Sequence, residues 1–201
     1  MLSLLHINYY TKGGIIMILF IIIAVAVLII AFIISTYNSL VRSRVKVDNA
    51  WSQIDVQLQR RFDLIPNFVE TVKGYMHYEK ETFENIAKLR TSWANATSIS
   101  DKAAIDNELS STLKTIMAVS ENYPELKSNQ NFLQLSEELS NTENKISFSR
   151  QFYNDSVTMY NTKLQVFPSN IIAGMFGFTA RDLFRVDSDD ARKNVKVDFN
   201  K

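Results

Sequence analysis

Glu70, Lys73 and His77 are the residues of this sequence whose types and spacing come nearest to acid–base chemistry. On an α-helix they share one face, because positions three and four apart are neighbours there. Glu70 could then orient the His77 imidazole as a general base. No nucleophile or oxyanion donor accompanies them, and the other histidine, His6, precedes a long apolar run. We therefore interpret them as a surface pairing and expect no enzymatic activity.

A metal centre is the next chemistry to consider, because several glutamates follow in the C-terminal half: Glu121, Glu125, Glu137, Glu138 and Glu143. Carboxylate-bridged metal sites in helical bundles also use inward Glu-x-x-His pairs, and the sequence contains none. The absence of cysteine excludes thiolate ligands and disulfides. We expect neither a metal ion nor any other cofactor.

A dense polar block between residues 53 and 63 could form a docking surface for a partner protein. Its candidate contact residues are Gln53, Asp55, Gln57, Arg60 and Arg61, and Asp63 follows them. The alternative is a solvated helix face with salt bridges to neighbouring helices, each worth about 0–1 kcal/mol. Spacing alone does not separate the two interpretations. We favour the solvated face and keep the block as a candidate interaction surface.

Arg42, Arg44 and Lys46 follow the apolar run closely and are candidates for contacts with lipid headgroups. Each could add about 1 kcal/mol of attraction to an anionic membrane surface. They are also a topology signal, because positive charge concentrates on the cytoplasmic side of a membrane. Ahead of the run stand only Lys12 and the α-amine. The balance predicts that the C-terminal part lies in the cytoplasm.

Residues 15–34 are the apolar run itself, and they contain no polar side chain. At about 1.5 Å per residue the run covers roughly 30 Å, the thickness of the hydrocarbon core. A cleaved signal peptide is the alternative, but its apolar region has only about 7–15 residues and a small-x-small motif follows it. The sequence therefore predicts a retained transmembrane helix after a short segment at 1–14. Met17 is an alternative start.

The charge balance of the chain limits its partners. The 201 residues include 22 basic and 21 acidic side chains, so the net charge is +1. A chain so close to neutral has no broad attraction for nucleic acid. We expect the lipid bilayer as a partner and no nucleic acid.

Apolar residues at helical spacing predict an all-α fold for residues 35–185. Neither Gly nor Pro occurs between residues 15 and 65, so the transmembrane helix should continue into the first helix of this domain. We expect that helix to end near Asp63, which would cap a second, antiparallel helix with Pro66 in its first turn. Gly74 would then lie inside the second helix, where it should allow close approach of a neighbouring helix.

A later segment has the most regular period of the chain. The apolar residues Phe132, Leu139, Ile146, Tyr153, Tyr160 and Phe167 recur every seven positions, and Pro168 follows them. Four amphipathic helices with short links favour an antiparallel up-down four-helix bundle, with a long coiled-coil oligomer as the alternative. Residues 170–178 are apolar but too short to span a bilayer, so they should pack on the bundle or dip into the membrane interface. Residues 186–201 are highly charged and are expected to be disordered.

Three blocks of sequence carry a family resemblance. NAWSQIDVQLQRRFDLIPNFVETVKGY occupies residues 49–75, ENYPELKSNQNFLQL occupies residues 121–135, and Arg150, Tyr153-Asn154, Tyr160-Asn161 and Phe167-Pro168 follow. In this order they resemble the LemA family of bacterial membrane proteins. The resemblance implies an N-terminally anchored helical bundle in the bacterial cell (inner) membrane, without an established catalytic activity. It also links some relatives to the formation of membrane compartments and others to genes near membrane metalloproteases.

Together these features favour a non-enzymatic, membrane-anchored scaffold or assembly factor that associates with itself or with another membrane protein. The alternative is an adaptor or regulatory subunit of a membrane metalloprotease or another membrane enzyme. That alternative depends on the resemblance alone.

Overall fold

The computed structural model describes residues 2–76 and 80–184, with side chains from residue 17 onward. Its helices are α1 (Leu2–Lys73), α2 (Lys80–Asn95), α3 (Ile99–Ser120), α4 (Pro124–Lys127), α5 (Gln130–Gln165) and α6 (Ser169–Met175). The part of the chain that the structure describes contains no β-strand. The predicted all-α fold is confirmed. The predicted tail at 186–201 lies outside the described residues.

Helix α1 contains the apolar run and continues far beyond it. It has 72 residues without a break. The absence of Gly and Pro predicted this continuity for residues 15–65. From Met17 to Ile34 its large apolar side chains are exposed except for the half-buried Ile33, with Phe20 at 68% and Leu28 at 69%. Mean hydropathy reaches 3.6 in this stretch, so α1 is long and apolar enough to cross a membrane.

The predicted end of the first helix near Asp63 is wrong, because α1 continues through Pro66 to Lys73. A proline inside a helix removes one backbone hydrogen bond and costs about 3 kcal/mol. Burial on both sides of it offsets this cost, since Phe62, Ile65 and Phe68 are all at most 4% exposed. The apolar face therefore continues across Pro66, and the helix continues with it.

The chain turns at Gly74 instead. The amides of Tyr75 and Met76 both donate to the Val72 carbonyl at 3.0 Å, which closes the last turn of α1. Among the described residues, a Cβ atom on Gly74 would meet only the Thr71 carbonyl oxygen, at an ordinary 3.6 Å. The predicted close approach of a neighbouring helix at Gly74 is therefore wrong, because the residue lies in the turn that ends α1.

The described chain divides into two compact units, and the division falls within α1 and α5. We call residues 46–158 with 181–184 the core unit, and residues 17–45 with 159–180 the anchor unit. In the core unit, α1 and α5 run antiparallel. Trp51 meets Tyr153 at a ring separation of 5.8 Å, and Phe68 meets Phe132 at the same separation.

Helix α2 also runs antiparallel to α1 within the core unit. Phe62 stacks on Trp93 at 4.3 Å, and the Lys73 ammonium lies 5.6 Å from the centre of the Phe83 ring. Helix α2 in turn packs on α3. The four-helix bundle with up-down order stays a prediction.

The seven-residue period of α5 holds for its first members and fails at its last. Phe132, Leu139, Ile146, Tyr153 and Tyr160 are all at most 4% exposed. Phe167 is 79% exposed. Because α5 ends at Gln165, the seven-residue spacing no longer places Phe167 on the same face as the earlier residues. The buried face of α5 therefore ends with Tyr160, and Phe167 continues the spacing of the sequence but not the burial.

In the anchor unit, α6 packs against α1. Ile172 and Ala173 are at most 4% exposed and form a small apolar cluster with Leu40. Ile33, Leu164 and Phe178 pack around this cluster. The Lys163 ammonium adds a polar connection, because it donates to the hydroxyls of Ser39 at 3.0 Å and Ser43 at 2.7 Å.

Candidate functional site

Arg61, predicted as part of an interaction surface, lies instead in the interior of the core unit with only 3% of its surface exposed. Its Nη1 donates to Asp106 Oδ1 at 2.8 Å and to Ser110 Oγ at 2.9 Å. The same nitrogen lies 2.6 Å from Glu143 Oε2. Arg61 thereby joins α1 to α3 and α5, because its partners come from both of those helices.

Arg150 completes this buried network from α5. Its Nη1 lies 3.7 Å from Asp106 Oδ2 and donates to Asn107 Oδ1 at 3.4 Å. The guanidinium also lies 4.5 Å from the centre of the Phe184 ring. The network thus balances the charges of two arginines against those of Asp106 and Glu143, as charged groups removed from water require.

Asp106 is the centre of this network, and the sequence did not single it out as a site residue. It is fully buried at 0% exposure, on the same face of α3 as Ala103, Leu109 and Leu113. The sequence does contain a signal, because Asp106 lies three residues from the apolar Ala103 and Leu109. Burial of a carboxylate on such an apolar face costs free energy unless a cation lies opposite it. Nothing local in the sequence identifies that cation, since Arg61 and Arg150 are distant along the chain.

Burial governs the electrostatics at Asp106. It raises the pKa of the carboxyl above its usual range, while the charges of Arg61 and Arg150 act to lower it. Burial likewise lowers the pKa of Arg150, against the effect of Asp106. Two atoms of the network, Arg61 Nε and Asp106 Oδ2, have no hydrogen-bond partner among the described residues. The Ser110 hydroxyl of the network accepts from Arg61 and donates to Glu143 Oε2 at 3.2 Å, so it is held between the charged groups. This geometry fits the fixing of helix positions, because the network connects α1, α3 and α5.

The other residues of the predicted interaction surface lie nearer to water. Gln53 is exposed, and Asp55 pairs with Lys102 of α3. Arg60 pairs with Glu138 of α5 at 2.8 Å, with side chains 50% and 39% exposed. Pairs this exposed contribute about 0–1 kcal/mol each. As contacts for a partner protein, these residues stay a prediction.

Gln53 and Gln57 do border an open groove between α1 and α5 of about 500 Å³. The groove is lined by Ser52, Gln53, Val56, Gln57, Lys145, Phe148 and Ser149. Val56 is 63% exposed and Phe148 is 74% exposed, which is unusual for such large apolar side chains. The Oε1 atom of Gln57 is buried and has no hydrogen-bond partner in the part of the chain that the structure describes.

The candidate lipid-contact residues Arg42, Arg44 and Lys46 are all exposed. In the anchor unit, the Arg44 guanidinium lies 5.4 Å from the centre of the Phe178 ring. In the core unit, the Lys46 ammonium lies 5.4 Å from the centre of the Phe152 ring. Contacts of these residues with lipid headgroups stay a prediction.

The groups considered for acid–base or metal chemistry are not brought together where they are described. Glu121, Glu138 and Glu143 each pair with a different cation. Among residues 17–76 and 80–184, no three histidine or carboxylate side chains are placed to hold a metal ion. His77 lies outside the described residues, so its proposed pairing with Glu70 is not described either.

A sequence profile of the LemA family matches residues 50–199. The chain belongs to the LemA family. It is similar to protein LemA of Metamycoplasma hominis, with 28% identity over 159 residues that cover 76% of this chain and 73% of that protein. It is also similar to the magnetosome proteins MamQ 1 and MamQ 2 of Paramagnetospirillum magneticum. Each of these is 24% identical over 182 residues, covering 78% of this chain and 67% of the relative.

The LemA-family match confirms the resemblance drawn from the sequence blocks. It includes every residue of the buried network, so the network belongs to the family domain. The names of these relatives are not those of enzymes, and the MamQ proteins are named as magnetosome proteins. With the candidate span in α1, this makes the chain a membrane-associated protein of a family named without an enzymatic activity.

Proposed function

We propose that this LemA-family chain is a non-enzymatic scaffold or assembly factor that oligomerises at the bacterial cell membrane. The observation that carries the proposal is the groove of the core unit, in which Phe148 and Val56 expose most of their apolar surface. Large exposed apolar side chains beside an open groove are typical of protein interaction sites. The magnetosome names of the MamQ relatives support a role in membrane organisation.

A second copy of this chain is the occupant that the groove fits best. In a two-fold symmetric dimer every contact occurs twice, so the surface must complement itself. Phe148 supplies an apolar projection and the groove beside it supplies the matching cleft. The same surface thus offers both halves of an apolar contact.

The first test is the mass and composition of the tagged full-length protein, extracted in a mild detergent without crosslinking. We expect a homogeneous particle that contains only this chain and weighs a multiple of its 23.1 kDa. A particle containing one copy and a second membrane protein would contradict self-assembly. It would instead favour the adaptor or regulatory subunit, with the partner's activity as the next assay.

A pair of matched variants tests whether the groove is the interface. Phe148→Ser should weaken self-association by about 2 kcal/mol, or roughly 30-fold in the dissociation constant, as a central interface residue does. Leu133→Ser is the control, because Leu133 is 53% exposed on the same helix but does not line the groove. Equal behaviour of both variants would rule out the groove as the contact between copies.

The orientation of the protein belongs to the proposal as well. The exposed Arg42, Arg44 and Lys46 follow the span, so the positive-inside rule supports a cytoplasmic core unit and an inner-membrane location. Because the chain has no native cysteine, Gln53→Cys provides a unique label in an exposed position of the core unit. Membrane-impermeant maleimide should not label it in intact spheroplasts and should label it after lysis.

A further inference from the structure

The anchor unit carries an exposed apolar patch on and around α6. Its members are large apolar residues that the fold leaves uncovered: Phe167 at 79%, Met175 at 68%, Ile171 at 52%, Phe176 at 52% and Val166 at 47% exposed. We call these five residues the α6 patch. So many neighbouring large apolar side chains would be costly in water, and patches of this kind mark interaction sites.

The other face of α6 fixes the patch beside the end of the apolar run. Ile172 and Ala173 are buried against Leu40, and Ile33 packs against the same cluster. Ile33 belongs to the run at residues 15–34 that forms the candidate membrane span. Further along α1, the ring of Tyr37 lies 4.8 Å from that of Phe176. The α6 patch therefore lies beside the part of α1 that would leave the hydrocarbon core.

The position along α1 sets the expected depth of the patch. From Ile33 to Leu40 an α-helix rises about 10 Å. Between the hydrocarbon core and the outer edge of the headgroups lie about 5–8 Å on each side of a bilayer. Residues packed beside this part of α1 are therefore at the level of the acyl boundary and the headgroups. Interfacial helices bury their apolar faces about 5–10 Å into that same region.

The surrounding side chains suit the same environment. Tyr37, Phe176 and Phe178 form an aromatic group, and aromatic residues are enriched at the membrane–water interface. The exposed Arg44 lies over the Phe178 ring, which leaves its charge available to lipid phosphates. Lipid is the favoured occupant over a protein partner, because lipid surrounds α1 at this level.

We propose that the α6 patch inserts into the headgroup–acyl boundary of the bilayer that α1 spans. The segment at residues 166–176 is then a second membrane contact in addition to the transmembrane helix. This proposal depends on the membrane span and not on self-assembly, so it goes beyond the scaffold function.

Single-cysteine variants provide the test, because the native chain contains no cysteine. Ile171→Cys and Met175→Cys place a nitroxide label on the patch. Asn170→Cys is the matched control, an exposed polar position of α6 that is turned about 100° away from Ile171. The full chain is reconstituted at a low protein-to-lipid ratio into vesicles of phosphatidylcholine and phosphatidylglycerol. Electron paramagnetic resonance then measures collisions of each label with oxygen and with a water-soluble nickel chelate.

We expect the labels at Ile171 and Met175 to collide several-fold more with oxygen, relative to the nickel chelate, than the label at Asn170. Equal ratios at all these positions would overturn the proposal. Shielding that increases with the protein-to-lipid ratio would also overturn it, because the patch would then be covered by a second copy. Failure of the scaffold function would leave the expected ratios unchanged, since they are measured on dispersed chains.

Discussion

The core unit and the anchor unit distribute charged and apolar side chains in opposite ways. In the core unit, Arg61 and Asp106 are at most 3% exposed and pair in the interior. In the anchor unit the interior is a small apolar cluster around Leu40, and large apolar side chains cover the outside. Transfer of a large apolar surface from water to apolar surroundings is favourable. The contrast fits our proposal that the anchor unit lies against lipid while the core unit lies in water.

The largest expected effect concerns the interior charges of the core unit. Arg61→Ala leaves Asp106 buried without its closest cation, which should lower the free energy of unfolding by about 3–5 kcal/mol. Arg60→Ala on the adjacent position removes only the exposed pair with Glu138 and should cost about 0–1 kcal/mol. Both tryptophans, Trp51 and Trp93, lie in the core unit. Denaturant titration followed by tryptophan fluorescence therefore measures this unit specifically.

Similar losses for these two variants would contradict the contrast between interior and surface charges. A loss of several kcal/mol in both would mean that the Arg60–Glu138 pair acts as part of the buried network. Arg61→Lys is a useful third variant. It keeps the charge but cannot reproduce all the donor directions of a guanidinium, so it should fall between wild type and Arg61→Ala.

A substitution in the interior of the anchor unit should unfold only part of the chain, whereas one in the core unit should destabilise the whole unit. Ile172→Ala removes a buried side chain from the small cluster around Leu40, at a cost of about 2–4 kcal/mol. Because this cluster is small, we expect α6 to open while the core unit stays folded. Hydrogen–deuterium exchange should become faster in residues 166–178, with the fluorescence-detected transition unchanged. Ile171→Ala, on the exposed face, is the control and should not change the exchange of α6 in detergent.

The all-α fold and the long apolar helix could be predicted because both depend on local periodicity. The apolar face of α5 followed from the spacing of residues such as Leu139 and Ile146, which are both buried. The helix end predicted near Asp63 was wrong because proline disfavours the interior of a helix. Here the burial of Phe62 and Phe68 outweighs that local preference. The network around Asp106 could not be predicted, since its partners Arg61 and Arg150 meet only after three helices have packed. Phe167 shows a further limit of prediction from sequence, because the seven-residue spacing continues past Gln165, where α5 ends.

Substitution of Pro66 should change the stability of the core unit by less than the loss of Arg61. Pro66→Ala restores the backbone donor inside α1 and should raise the free energy of unfolding of the core unit by about 1–3 kcal/mol. The buried residues before and after Pro66 should keep their positions. The free energy of unfolding should therefore rise without a change in its dependence on denaturant concentration. A loss of stability would mean that the proline ring contributes packing that alanine does not replace.

The smallest effect is a pH dependence that originates at Asp106. Burial raises the pKa of this carboxyl above its ordinary value of 3.8, so its neutral form favours the folded state. Its contribution to stability is then fully present below pH 3.8 and is lost as the pH rises through the folded-state pKa. Asp106→Asn cannot titrate and serves as the reference. The free energy of unfolding of wild type minus that of the variant should therefore fall as the pH rises from about 3 towards neutrality.

If this difference increased instead, the attraction of Arg61 and Arg150 for the carboxylate would outweigh its burial. The interior of the core unit would then be stabilised by its ion pairs, and the contrast with the anchor unit would rest on charge as well as on surroundings.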